Sequence, residues 1–157
     1  MIEVRQMPGH LVRRFQQIAV AIFHNEVDAT GYDLTPVQYA ALATICENKG
    51  IDQATLAGMI AYDRATITGV VDRLLHKGLI SREISKRDRR ARELAVTDRG
   101  LKTIETVTPA VEAAQRVMLR GLTPQEAEEF MRLLAKATEA ANDLSRAPMI
   151  SENATHN

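Results

Sequence analysis

The sequence holds a single cysteine, Cys46, no tryptophan, and only three phenylalanines and three tyrosines in 157 residues. One thiol excludes an internal disulfide and any multi-cysteine metal cluster, and it fits a reducing compartment. Net charge is lacking too: 20 Lys and Arg balance 20 Asp and Glu, so bulk charge selects no partner. No stretch approaches the roughly 18 consecutive apolar residues of a membrane helix, and the first residues lack a basic region leading into an apolar run and a cleavage site. The expectation is a cytoplasmic protein with no membrane partner. Catalytic signatures are missing as well. His10, His24, His76 and His156 form no His-Glu-x-x-His, and there is no glycine-rich phosphate loop, Gly-x-Ser-x-Gly or cysteine–histidine metal spacing. The expected assignment is a non-enzyme with no cofactor and no metal.

What is present is an ordinary globular composition, 45% apolar and 25% charged, at a length typical of one compact domain. The charge is unevenly spread. Residues 64–102 carry eleven Lys and Arg against five acids, an excess of six positive charges that the flanks cancel. Such a segment suits a polyanion, and the alternative is a solvated charged face.

Leu11, Phe15, Ile18 and Ile22 recur at helical spacing after Pro8, predicting a first helix over 8–29 that Gly31 ends. Thr35-Pro36-Val37-Gln38 reads as a capping box opening a second helix to about Asn48. Asp52 caps a short third helix to about Ile60, and Asp63 caps a fourth over 64–77, whose apolar side is Ile67, Val70, Val71, Leu74 and Leu75. Residues 79–85 and 92–96 alternate as two short strands, joined across a basic tip, Lys86–Ala91. A long helix follows from Thr97 or Asp98 to about Arg120, bent near Pro109, and Thr123-Pro124-Gln125-Glu126 opens a last one to about Leu144. From Ser145 onward the composition predicts a frayed tail.

The fold class is mainly α with a small β-hairpin wing: a winged helix-turn-helix plus a helical dimerisation region. Residues 1–34 and 98–145 are the expected dimerisation helices, 35–97 the DNA-binding lobe and 146–157 a flexible tail. Three long helices in so short a chain leave apolar faces over, and a second copy is the simplest cover, since two-fold homodimers are the commonest closed assembly. A monomer whose long helices pack on one another is the alternative.

In a winged helix-turn-helix the second helix of the motif enters the major groove. At 100° per residue the polar face of the 64–77 helix presents Ala65, Gly69, Asp72 and His76, flanked by Thr66, Thr68 and Arg73. Small residues allow close approach, threonine hydroxyls and methyls meet base edges, and Arg64 at the helix start suits guanine or phosphate. Asp72 would repel phosphate and is assigned to a nearby arginine or to the scaffold. At the hairpin tip, Arg87, Arg89 and Arg90 are spaced to enter a minor groove, with Asp88 stiffening the loop by holding one of them.

The stretch Asp88-Arg89-Arg90-Ala91-Arg92-Glu93-Leu94-Ala95-Val96-Thr97-Asp98-Arg99-Gly100 resembles the wing signature of the MarR family: Asp-x-Arg, five residues, Leu-Thr, two residues, Gly. Val96 stands where leucine is usual. Thr66–Leu74 with Lys77-Gly78-Leu79-Ile80 resembles that family's recognition helix and its exit, although many members have arginine where Gly69 stands, which shifts base contacts toward Thr66, Thr68 or Arg64. The resemblance implies a homodimer on a double-stranded, pseudo-palindromic operator, usually a repressor, and in many members one that releases DNA when a small phenolic or aromatic carboxylate binds. The opening Met7–Arg14 is also similar to MarR-type repressors of aromatic-acid catabolism, including those answering hydroxynicotinate-like compounds.

On the first helix His10, Arg14 and Gln17 share a face beside Phe15, and Tyr39 on the second helix adds a hydroxyl. A guanidinium with a neighbouring donor suits a carboxylate, and an aromatic wall suits a flat ring. The plain alternative is that these groups are solvated or pair across a dimer. Two rival readings stand beside the ligand-responsive one. Cys46 as a redox sensor requires exposure and a lowered pKa, whereas beside Leu42 and Ile45 a buried thiol is a small hydrophobe. A winged helix serving only protein contacts fits poorly with arginines concentrated at the wing.

Overall fold

The computed structural model describes residues 1–150. Their helices and strands are α1 (Pro8–Asp28), α2 (Pro36–Glu47), α3 (Gln53–Met59), α4 (Arg64–His76), β1 (Ile80–Ile84), β2 (Arg92–Val96), α5 (Asp98–Met118) and α6 (Pro124–Ala140), with 3-10 turns at Val4–Gln6 and Asn142–Leu144. Of the tail expected at 146–157, residues 151–157 lie outside the described residues. Among the described residues no helix is long and apolar enough to cross a membrane.

Helix starts follow the side chains that satisfy free first-turn amides. Thr35 and Thr123 both close reciprocal capping boxes, with Gln38 and Glu126. Asp52, Asp63 and Thr97 cap α3, α4 and α5 by accepting from Thr55, Thr66 and Gly100. Gly31, Gly50 and Gly78, at φ +82°, +83° and +71°, take the left-handed turns that follow α1, α2 and α4. Helix α5 continues through Pro109. Helix α6 stops at Ala140, four residues short of the sequence expectation, and the apolar rhythm to Leu144 is carried by a 3-10 turn instead.

The core lies inside the lobe formed by α2, α3, α4 and the hairpin. Leu42, Ile45, Leu56, Ile67, Val71, Leu74 and Leu94 are fully or almost fully buried there, and Val27, Leu34 and Val107 extend it toward α1 and α5. The strands pair antiparallel with Ile80 opposite Val96 and Ile84 opposite Arg92. The loop between α2 and α3 adds to the free edge of β2: Gly50 N–H donates to Leu94 O at 3.0 Å, and Leu94 N–H donates to Ile51 O at 2.8 Å. This covers an edge that would otherwise be open to pairing.

The end of α4 is knotted to its neighbours. Lys77 Nζ donates to the Asp33 carbonyl and to Gln38 Oε1 at 3.1 Å, so the buried Gln38 side chain serves both its capping box and this clamp. Thr97 Oγ1 donates to Gly78 O at 2.7 Å, and Thr97 N–H to Leu79 O at 3.0 Å. By contrast α6 buries none of its residues, and Met131, Leu133 and Leu134 are exposed, as are Leu11, Val12 and Ile18 on α1. Cys46 requires a correction: its thiol is exposed rather than buried. The buried positions of α2 are 38, 41, 42 and 45, and one further step of about 100° carries residue 46 off that stripe.

Candidate nucleic-acid interface

Helix α4 divides cleanly. Ile67, Val70, Val71 and Leu74 are buried, while Arg64, Ala65, Thr66, Thr68, Gly69 and Arg73 are exposed. Apart from the backbone of its own helix and its two chain neighbours, no described atom stands within 4 Å of the space a Cβ at Gly69 would take, so the backbone there is open to close approach. The hydroxyls are less free than the sequence suggests. Thr66 Oγ1 donates to Asp63 Oδ2 at 2.9 Å, joining the cap, and Thr68 Oγ1 donates to Arg64 O at 2.8 Å while accepting from Gln53 Nε2 at 3.1 Å. A hydroxyl has one proton and two lone pairs, so each threonine keeps its methyl group and remaining lone-pair capacity open on the surface.

The Asp63 carboxyl is held below its ordinary pKa, first by the Thr66 backbone N–H and then by the Thr66 hydroxyl. Because the folded value is the lower one, the stabilisation is complete above the ordinary carboxylate pKa of about 3.9 and is lost as pH falls through the depressed value. The start of α4 is therefore expected to fray in acid, below about pH 4. Solvent exchange of the Thr66 amide followed against pH checks this. Asp63→Asn, which keeps a capping oxygen without the titrating charge, should flatten the profile.

At the wing, Ser85 is buried and its Oγ accepts from Arg87 N–H at 3.2 Å and Asp88 N–H at 3.3 Å. Asp88 Oδ1 in turn accepts from Arg90 N–H at 3.0 Å and Arg90 Nε at 3.4 Å, so the arginine tied to the loop is Arg90. Arg92 Nη1 donates to Arg89 O at 3.1 Å, bracing the tip from the strand side. Among the described residues, Arg87 and Arg89 form no ion pair, and both are exposed. Asp72 pairs with Arg82 of β1 at 3.5 Å, a partner that neutralises the one acid on the recognition face.

Between α4 and the wing lies an open cleft of about 650 Å³, lined by Gln53, Arg64, Thr68, Asp88, Arg90 and Arg92 among others. Helix α4 and the wing thus present their cations on either side of one groove. Gln53, Ser85 and Arg92 are contributors that sequence reasoning missed as site residues. Nothing in the spacing of Gln53 or Ser85 marks them, because each acts through a neighbour brought close only by folding.

The residues expected to meet a small ligand are not gathered into one group within the chain. His10 is half-buried, and Arg13 rather than Arg14 joins it to Gln17, at 3.4 Å from His10 Nδ1 and 3.2 Å from Gln17 Oε1. Arg14 is exposed. Phe15 meets Phe130 of α6 edge to face at 5.6 Å between ring centres. The Tyr39 ring lies near Phe23 at 6.4 Å, with its hydroxyl 3.0 Å from Thr108 Oγ1 of α5. Phe15 and Phe23 are eight residues, or about 12 Å, apart along α1, so Tyr39 and the His10–Gln17 face belong to different levels of the helix.

A three-helix lobe whose last helix, α4, is exposed and cation-bearing, followed by an arginine-tipped hairpin, is a winged helix-turn-helix. Residues 34–91 match the MarR family. The PcaV transcriptional regulator of Streptomyces coelicolor, solved in complex with its natural ligand, is 30% identical, with 90% of this chain and 98% of that one covered and a TM-score of 0.83. BpsR of Bordetella bronchiseptica, whose structure concerns regulation of DNA binding by 6-hydroxynicotinic acid, is 27% identical over 88% of this chain and 98% of that one, at a TM-score of 0.83. The transcriptional repressor NicR of Pseudomonas putida is 28% identical over 138 residues, 88% of this chain and 86% of its own. The chain belongs to the MarR family, whose named members here are transcriptional regulators and not enzymes.

Proposed function

We propose that the protein is a homodimeric repressor that binds a pseudo-palindromic DNA operator and is released by a small aromatic carboxylate or phenolic compound. The observation that carries the DNA reading is the shared groove, with Arg64 on one side and Arg90 and Arg92 on the other, and with Arg87 and Arg89 exposed on the same wing. Cations on two elements can hold phosphates while α4 lies in the major groove. Residues 1–34 and 98–145 carry the exposed apolar faces of α1 and α6, a surface suited to a second copy of the chain. In such a dimer the two α4 helices stand about one DNA turn, ~34–36 Å, apart, and a ligand that favours another spacing lowers affinity.

The aromatic-acid part draws on PcaV, BpsR and NicR, together with His10, Arg14, Phe15, Gln17 and Tyr39. Guanidinium and imidazole donors on α1 suit a carboxylate, and completion of the pocket falls to the facing subunit. The test is a titration of purified protein against DNA from upstream of its own gene, across salt concentrations, with and without a panel of aromatic carboxylates. Specific, salt-sensitive binding abolished by one compound supports the whole reading. Binding indifferent to every compound removes the ligand, and absence of specific binding there and on other upstream fragments removes the repressor.

A further inference from the structure

The chain does not end its structured path at α6. Asn142, in the 3-10 turn that follows, uses both ends of its side-chain amide on one residue: Oδ1 accepts from Met149 N–H at 2.9 Å, and Nδ2 donates to Met149 O at 2.9 Å. This folds residues 143–148 into a closed loop and turns the next residue back toward the DNA-binding lobe. Ile150 N–H then donates to the carbonyl of Gly58 at 2.9 Å.

Gly58 lies in the last turn of α3, where carbonyls have lost their helical partners and need another donor. The other backbone groups turned on it are Ala61 N–H, long at 3.4 Å, and the cap Ile60 N–H, which is shared with Leu56 O, so Ile150 supplies the better bond. The side chain of Ile150 packs on the same spot. A Cβ at position 58 would come within 2.7 Å of Ile150 Cδ1, which makes glycine the residue that lets the strap lie flat. Directly after Gly58 the chain makes the turn of the helix-turn-helix, with Ala61 in the left-handed region at φ +55°, and enters α4 at the Asp63 cap.

We infer that Asn142–Ile150 is a strap running from the end of α6 to the turn ahead of the recognition helix, and that Ile150 is a positioning residue for DNA recognition. It fixes the α3 terminus from which the Ala61 turn sets the direction of α4. The strap touches no expected DNA contact, so its effect is on the aim of the helix. Met149 and Ile150 are themselves about half exposed, so the strap opens at low cost and belongs to the least stable part of the lobe. This inference rests on the DNA-binding reading.

The experiment uses the full chain and a duplex that the wild-type protein selects from a random DNA pool. Ile150→Pro removes the donated N–H, Asn142→Ala opens the loop, and Gly58→Ala displaces the Ile150 side chain. Each is expected to weaken binding to the selected duplex about tenfold, the scale of one lost hydrogen bond, while binding to an unrelated duplex changes less than twofold. Amides of Ala61 and Tyr62 should exchange faster in all three. The pair Gly58→Ala with Ile150→Pro should be no worse than either alone, since both break one contact. Unchanged discrimination and unchanged exchange in Ile150→Pro and Asn142→Ala would overturn the strap, as would full additivity of the pair. If the wild-type chain selects no sequence, the DNA reading fails instead, and the exchange data still decide whether the strap holds the turn.

Discussion

Replacing Gly100 by alanine should lower the melting temperature by roughly 6–12 °C, the equivalent of about 3 kcal/mol for a chain of this size. Gly100 sits in the first turn of α5, and a Cβ there would meet the Leu79 carbonyl, 3.0 Å from its carbon and closer still to its oxygen, and Val96 Cγ1 at 2.6 Å. Neither the Leu79 backbone nor the adjoining strand can retreat. Leu79 O accepts from Thr97, and Thr97 also holds Gly78, so moving one breaks the register of the wing on α5. Overpacking against backbone lies at the upper end of its usual cost. Gly69→Ala is the internal control: its added methyl meets nothing, and a mid-helix glycine ordinarily costs about 0.5–1 kcal/mol relative to alanine, so this variant should melt slightly higher. Thermal unfolding of both by circular dichroism at one protein concentration reads the contrast.

The second large effect concerns the wing. Arg87→Ala with Arg89→Ala removes two exposed cations per chain, four in the proposed dimer, and leaves the Asp88–Arg90 frame in place. Affinity for a specific duplex at moderate salt should fall by about two to three orders of magnitude, and the slope of log affinity against log salt should shrink by about 4. Stability should be unaltered, because neither side chain makes an ion pair among the described residues. A matched loss of affinity with an unchanged salt slope would mean that the wing does not meet the DNA backbone. Asp88→Ala complements it: freeing Arg90 from its partner loosens the tip while every cation is retained, so specificity should suffer and the salt slope should not shrink.

Much of the fold is written locally in this sequence. The two capping boxes, the three left-handed glycines and the Arg92–Val96 strand follow from rules that involve a few neighbouring residues, and the structure keeps them within a residue or two. The recognition face of α4 was legible for the same reason, since burial of Ile67, Val70, Val71 and Leu74 leaves the others outward. What could not be read depends on distant contacts. Gln53 meets Thr68 fifteen residues away, Lys77 reaches Gln38 from thirty-nine away, and Ile150 finds Gly58 across most of the chain. The face of α1 shows the same limit: helical spacing allows either Arg13 or Arg14 to neighbour His10, and the structure pairs Arg13 with both His10 and Gln17. Composition likewise marked residues 146–150 as a loose tail, because hydrogen bonds from Asn142 to Met149 leave no trace in periodicity.

The knot at the end of α4 has a consequence for how a signal would travel. Lys77 fastens the recognition helix to the start of α2, and Thr97 fastens the residues just after it to the first turn of α5. With both joints closed, any slide or roll of the helix on its own would cost these hydrogen bonds. A small rotation of α5 would tend to carry α4 and wing together, like two teeth on one key, so a change made among the long helices would alter where the key sits more than how it is cut.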